Sequence, residues 1–300
     1  MDGIRGVARR VTCSLVVACA AAAPAPAHPG SGIVVDRQGR VFFVDTGGGV
    51  FRIGAGGELV RQMGPAYHWL ALDADGRFAA TRMPPLPGSD LQAVGSDPTL
   101  ILSSDFPLAV GGDGALYFPE LGADERLRLM RMPPSGKRAV FVTLPASTAD
   151  GPLRWLNGVA AGPDGAIYVT DDRAVRRVDR SGALTAVIED VWVPECVRPP
   201  GYDERLGPGL RGLDVAPDGT VLVAATACSA LLRVTPQGVV SVVLRSPASW
   251  APTGVALAGG DAYVLEYLHT ASDDRREWLP RVRKVSATGA VSPVVEVTAR

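Results

Sequence analysis

The same short phrase returns six times along the chain. The copies are "SGIVVDRQGRVFFVD" from Ser31, "HWLALDADGRFAATR" from His68, "FPLAVGGDGALYFPE" from Phe106, "NGVAAGPDGAIYVTD" from Asn157, "RGLDVAPDGTVLVAA" from Arg211 and "TGVALAGGDAYVLE" from Thr253. Each has an apolar first run, a turn rich in Asp and Gly, and a second run rich in Val, Phe and Tyr. Asp and Gly supply the backbone angles that tight hairpin turns demand. β-Branched and aromatic residues fit a pleated, half-buried surface. Each phrase therefore predicts a β-hairpin, and the copies start at intervals of roughly 40–50 residues, within the range of propeller repeats.

A second strand–turn–strand unit follows most of the hairpins: "VFRIGAGGELVRQM", "VRRVDRSGALTAVIE", "LLRVTPQGVVSVVLR" and "VRKVSATGAVSPVVE". One repeat is then a four-stranded antiparallel sheet, with strands A to D in chain order. A sheet of this kind cannot bury both faces alone, whereas six packed around an axis do so and leave only short edges. A β-sandwich also uses many short strands but gives no reason for six in-register copies. The expected fold is all-β, a six-bladed β-propeller of four-stranded antiparallel blades, with residues 28–300 as one domain. The second repeat is worn, because "RMPPLPGSDLQAVGSDPTLILSS" makes a poor C–D pair. The sixth repeat supplies all four of its own strands, which leaves the closure of the ring open.

Residues 1–27 read differently. Arg5, Arg9 and Arg10 precede the apolar block "VTCSLVVACAAAA" and the exit "PAPA", the pattern of an export signal cleaved after Ala27. Val16-Val17-Ala18-Cys19 loosely resembles a lipobox, so a lipoprotein anchored at Cys19 is the alternative. Beyond this segment no run reaches the ~18 apolar residues of a membrane span. The formal net charge is −1 and stays slightly acidic without the signal, which leaves no clustered basic footprint for nucleic acid. Cys196 and Cys228 are the cysteines left after residue 27. In a periplasmic or secreted protein their expected state is a disulfide. The chain is read as a monomer.

"NGVAAGPDGAIYVTD" and "PTGVALAGGDAYVLE" resemble NHL-type repeats and the blades of the gluconolactonase/regucalcin family, with strictosidine-synthase-like propellers as relatives. The resemblance covers essentially the whole chain after the signal. It implies the propeller fold, and in gluconolactonase-like relatives a central divalent ion (Ca²⁺ or a similar cation) held by a Glu, two Asn and an Asp. Only Asn157 stands at one of those Asn positions here. The Glu position reads Ser31, another ligand position reads Phe106, and the Asp position falls on Arg211 or Thr253. Antibiotic-opening lyase propellers would use Mg²⁺ and a histidine base, a part open to Glu266 with His269, although His269 reads more simply as a solvated loop histidine.

Strand polarity places the start of every A strand and the end of every B strand at one mouth, opposite the tight Asp-Gly turns. The longer connections collect at that same mouth, the arrangement by which a rigid scaffold presents a binding surface. The entrances His68, Asn157, Arg211 and Thr253 are expected to converge there, ringed by the exits Asp45, Asp171 and Glu266. Wet strand ends would equally explain the exits. Polar groups converging in a concavity point to a ligand site. The mixed charges suit a small polar molecule or peptide whose anionic or hydroxyl-rich group Arg211 would hold, unless Arg211 pairs with Asp171 or Asp214 and plugs the channel. A metal-dependent hydrolase or lyase with an altered site is the alternative. No Gly-x-Ser-x-Gly elbow, zinc-spaced Cys/His pair or phosphate-cradling loop offers a different chemistry.

Overall fold

Asp-Gly turns set the local architecture. Asp164 and Asp218 each accept a backbone N–H two residues on, from Ala166 and Thr220. Gly165 and Gly219 close those turns at φ of +77° and +82°, a region where a Cβ is strained. The computed structural model of the chain describes residues 29–298, apart from 55, 65–66, 84–90, 149–150, 201, 203–206, 248 and 271–276. The expected export signal and Cys19 lie outside the described residues.

The fold is a six-bladed β-propeller of antiparallel blades. Blade 1 is built from Ile33–Val35, Val41–Asp45, Gly49–Ile53 and Leu59–Met63, hydrogen-bonded in chain order. Blades 3, 4, 5 and 6 repeat this four-stranded order, with innermost strands Ala109–Val110, Gly158–Ala161, Leu210–Val215 and Trp250–Ala258. The innermost strands touch one another in cyclic order, from blade 1 through blade 6 and back to blade 1. A two-stranded ribbon, Ser147–Thr148 with Gly151–Pro152, decorates the connection into blade 4. Among the described residues no helix is long and apolar enough to cross a membrane.

Blade 2 departs from the hairpin its sequence suggests. Trp69–Asp73 pairs with Thr99–Ser103, which in turn pairs with Gln92–Val94, and these are the three strands among its described residues. The segment expected to return beside Trp69–Asp73, "RFAATR", is a turn instead. The Asp73 carboxylate accepts the Phe78 N–H at 2.7 Å, which pulls the chain into a compact bend and buries Phe78 completely. "TLILS" has the stronger β-forming side chains and takes the vacant strand position.

The apolar core lies between blades. Separate clusters fill the interfaces of blades 2 and 3, 3 and 4, 4 and 5, and 5 and 6. A further cluster joins Phe43 and Val44 of blade 1 to Leu70 of blade 2 and to Leu265 and Tyr267 of blade 6. Blade 6 does contribute all four of its own strands, ending with Val291–Glu296, so no strand is exchanged across the seam. Side chains close the ring. The Thr253 hydroxyl donates to the Gly30 carbonyl at 2.7 Å, and the Tyr267 hydroxyl donates to the Val44 carbonyl at 2.7 Å while accepting the Thr46 N–H. The same device recurs between blades 4 and 5, where Thr170 donates to the Arg211 carbonyl, and between blades 5 and 6, where Thr226 donates to the Pro252 carbonyl.

Candidate functional site at the loop-rich mouth

The innermost strands enclose a channel of about 230 Å³, walled mainly by Gly, Ala, Val, Leu and Ile. At its loop-rich end Ser31 is buried with an Oγ that has no hydrogen-bond partner. The polar groups around this end come mostly from blades 4 to 6. Asn157, entering blade 4, donates its amide to the Asp172 carboxylate at 2.8 Å. Arg211, entering blade 5, donates to the Pro29 carbonyl at 3.1 Å and so also ties the start of blade 1 to the mouth.

Two loops cover this cluster. Tyr202, on the long connection into blade 5, packs edge-on against His269, which follows the second strand of blade 6, with ring centroids 5.0 Å apart. Burial raises the Tyr202 phenol; Asp172 adds to the rise and Arg211 opposes it. Burial, and then the nearby Arg211 charge, depress the His269 imidazole to about 4. Among the described residues its buried Nε2 has no hydrogen-bond partner. His269 is therefore a neutral, largely enclosed side chain, which corrects the expectation of a solvated loop histidine.

The disulfide forms as expected. Cys196 and Cys228 are bridged across 32 residues with Cα atoms 4.6 Å apart. The bridge ties the loop that carries Tyr202 to the 3-10 turn Thr226–Cys228 in blade 5. Arg245 reinforces the tie by donating to the carbonyls of Pro194 and Glu195.

The remaining sequence-derived site residues divide into two groups. His68 stands at the blade 2 entrance with its Nδ1 against the Ser104 carbonyl, and its own carbonyl accepts the Ser31 and Gly32 N–H groups. Thr253 is fully buried by its seam bond to Gly30, so its hydroxyl is spent on closure. The three exit carboxylates are each engaged by neighbouring groups of the protein. Asp45 accepts the Gly47 N–H and caps its turn. Asp171 accepts the Arg173 and Ala174 N–H groups and pairs with Arg176. Glu266, fully buried, is clamped by Arg281 at 2.7 Å, by Arg283 and by Ser246. Among the described residues it makes no bond to His269. Asp214 is held by the backbone N–H groups of Val215 and Leu257, so Asp171 and Asp214 both spend their oxygens on partners other than Arg211.

These residues do not fit a divalent-metal cage. Such a site gathers six or so oxygen ligands, several of them carboxylates, whereas this mouth presents Asn157 and Asp172 bonded to each other, together with the Arg211 guanidinium. Among the described residues no three His, Cys, Asp or Glu side chains come together in a metal-holding group. Tyr202 and Asp172 are the participants that sequence reading did not assign to the site, and His269 entered it only as a possible partner of Glu266. The long loops that bring in Tyr202 and His269 have no periodic pattern from which their positions follow.

No family model matches the chain, and no curated protein matches it. Similar solved structures are six-bladed propellers. A calcium-binding regucalcin from Agrobacterium tumefaciens is 15% identical, with 92% of this chain and 93% of that chain covered and a TM-score of 0.53. Virginiamycin B lyase from Staphylococcus aureus is 15% identical, with 91% and 85% covered and a TM-score of 0.51. A catalytically inactive form of that lyase with quinupristin is 16% identical, with 88% and 83% covered and a TM-score of 0.52. At these identities the likeness is one of fold.

Proposed function

We propose that the chain is an exported propeller that binds a small polar ligand at the loop-rich mouth, through an anionic or hydroxyl-rich group held between Arg211 and His269. The observation that carries this reading is the Nε2 of His269, buried near the Arg211 guanidinium and unpartnered among the described residues. Buried polar atoms are almost always satisfied, and an exception in a concavity asks for a partner from outside. Arg211 supplies a charge-assisted hydrogen bond to an anion. The neutral imidazole takes a hydroxyl or donates to an oxygen, and Tyr202 and Asn157 give the ligand an edge on which to orient. The disulfide agrees with an oxidising compartment and thus with export.

Turnover as a hydrolase or lyase is the second reading. The observation in its favour is the same imidazole, which is neutral at physiological pH, the state in which a general base begins, though its depression to about 4 makes it a weak one. The fold likeness to lyase and regucalcin propellers is consistent with it but carries no chemistry.

Calorimetric titration against sugar acids, hydroxy acids, lactones and short acidic peptides, with product analysis in parallel, tests both readings. Binding is expected to weaken by ~1.5–3 kcal/mol in Arg211→Ala, with the fold intact. Affinity unchanged in both Arg211→Ala and His269→Ala would remove the site. Product formed from a lactone or ester, and lost in His269→Ala, would decide for turnover.

A further inference from the structure

The opposite face of the propeller holds a second cavity. Between blades 5 and 6, on the side of the tight turns, lies a groove of about 610 Å³. Its walls include Val215, Leu222, Val243, Leu257 and Val285, with Asp218 and Arg233 as the other charged lining residues. Asp214 and Leu257 line both this groove and the central channel, so they stand where the two meet.

Asp214 is out of keeping with its register. In the blades with a regular A–B hairpin, the A-strand residue at this level is Val34, Ala109, Ala160 or Ala256. It pairs across to Phe42, Tyr117, Tyr168 or Tyr263 respectively. Blade 5 alone among these replaces a small apolar residue and an aromatic with Asp214 and Leu222. One substitution brings in a carboxylate, and the other replaces a ring with a shorter aliphatic side chain.

The carboxylate is satisfied by backbone only. Oδ1 accepts the Val215 N–H at 2.8 Å and Oδ2 accepts the Leu257 N–H at 2.7 Å. An ionised carboxylate has about four acceptor sites, so two remain. Among the described residues no cationic side chain bonds to it. Burial lifts the group to about 6, so it is still ionised at pH 7.5. Asp214 keeps part of its surface open to the cavities it lines. A deep-set negative charge is normally paired or binds a metal. Here it faces a space far larger than a bare ion, with Leu222, Val243, Leu257 and Val285 among its walls.

We propose that this groove is a second binding site, for a small organic cation whose ammonium sits against Asp214 and whose apolar arm lies along Leu222, Val243, Leu257 and Val285. Charge complementarity selects the head, and the aliphatic wall of the groove accommodates the arm. The site is separate from the loop-rich mouth and does not depend on what binds there.

Benzylammonium is the probe and benzyl alcohol its neutral match, titrated by NMR or calorimetry at pH 7.5 into the intact protein. Wild-type protein should bind benzylammonium saturably and at least tenfold more tightly than benzyl alcohol. Asp214→Asn should abolish that preference. Leu222→Tyr, which restores the aromatic of the other blades and leaves Asp214 in place, should weaken both probes. A cooperative unfolding transition in each variant checks that it is folded. No saturable binding to the wild type would overturn the proposal, as would equal benzylammonium affinity in wild type and Asp214→Asn. Sodium or calcium displacing benzylammonium at equal concentration would assign the carboxylate to an inorganic ion and overturn it as well.

Discussion

Replacing Asp214 by Asn should make the protein more stable at neutral pH, even though it deletes a charge held by two backbone hydrogen bonds. Burial raises this carboxyl from its ordinary 3.8 to about 6, against the pull of the Leu257 and Val215 N–H groups. At about 1.4 kcal/mol per tenfold change in proton affinity, the ionised folded form carries a penalty of about 3 kcal/mol. The sign follows from which state holds the proton. Below pH 3.8 both the folded and the unfolded chain hold it, and Asp214 costs nothing. Between 3.8 and 6 the unfolded chain has released it while the folded one has not, so stability falls as pH rises. Above 6 the full penalty persists. Asn keeps one acceptor for the Leu257 N–H and does not titrate, at a pH-independent cost of about 1 kcal/mol. Urea unfolding of both proteins at pH 3.5 and 7.5 should show their stability difference shifting by about 3 kcal/mol towards the variant. The neutral-pH gain of about 2 kcal/mol corresponds to a melting temperature higher by roughly 4–8 °C. A difference that does not change with pH, or a wild type that gains on the variant as pH rises, would refute the argument that Asp214 is a charge held at a cost.

Tyr267→Phe should destabilise by about 1–3 kcal/mol, because it orphans the buried Val44 carbonyl at the seam; chemical denaturation measures it. Cys196→Ser with Cys228→Ser should cost about 3–4 kcal/mol through the closed 32-residue loop. Mass spectrometry of the non-reduced wild type should find no free thiol at either position. Glu266→Gln should cost about 3–5 kcal/mol, since it leaves Arg281 and Arg283 facing a buried site with no counter-charge; a variant as stable as the parent would show that the clamp is dispensable.

The hairpin phrases made the blades legible, because turn chemistry and alternation fix strand pairing wherever one face is buried. Blade 2 escaped that logic when a single side-chain bond, Asp73 to the Phe78 N–H, outweighed a weak strand. At the mouth, strand polarity assigns the Asn157 and Arg211 entrances to one end. It does not say where a side chain spends its hydrogen bonds. The roles of Asp171 and Glu266 depend on arginines in adjacent strands, Arg176, Arg281 and Arg283. The alternation in "RVRK" opposite "LEY" was the available sign of the latter clamp. Tyr202 and His269 meet only because two aperiodic loops fold together, and no spacing announces that. Asp214 was the reverse case. Its mismatch with Val34, Ala109, Ala160 and Ala256 was visible in the aligned phrases, and the groove supplied its meaning.

The seam also bears on the order in which the molecule assembles. Every blade's ladder is contiguous in the chain, so each sheet can form soon after its own residues leave the ribosome. Contacts local to a blade form quickly, whereas those across long stretches wait. The bonds from Thr253 to Gly30 and from Tyr267 to Val44 each span 223 residues. Blade 1 is thus the first to form and the last to have its outer flank covered. Until Leu265, Tyr267 and Val282 arrive, Phe43 and Val44 remain on the open end of an unfinished arc. A nascent chain stopped short of blade 6 is the form most exposed to aggregation, and its sticky end is the end made first.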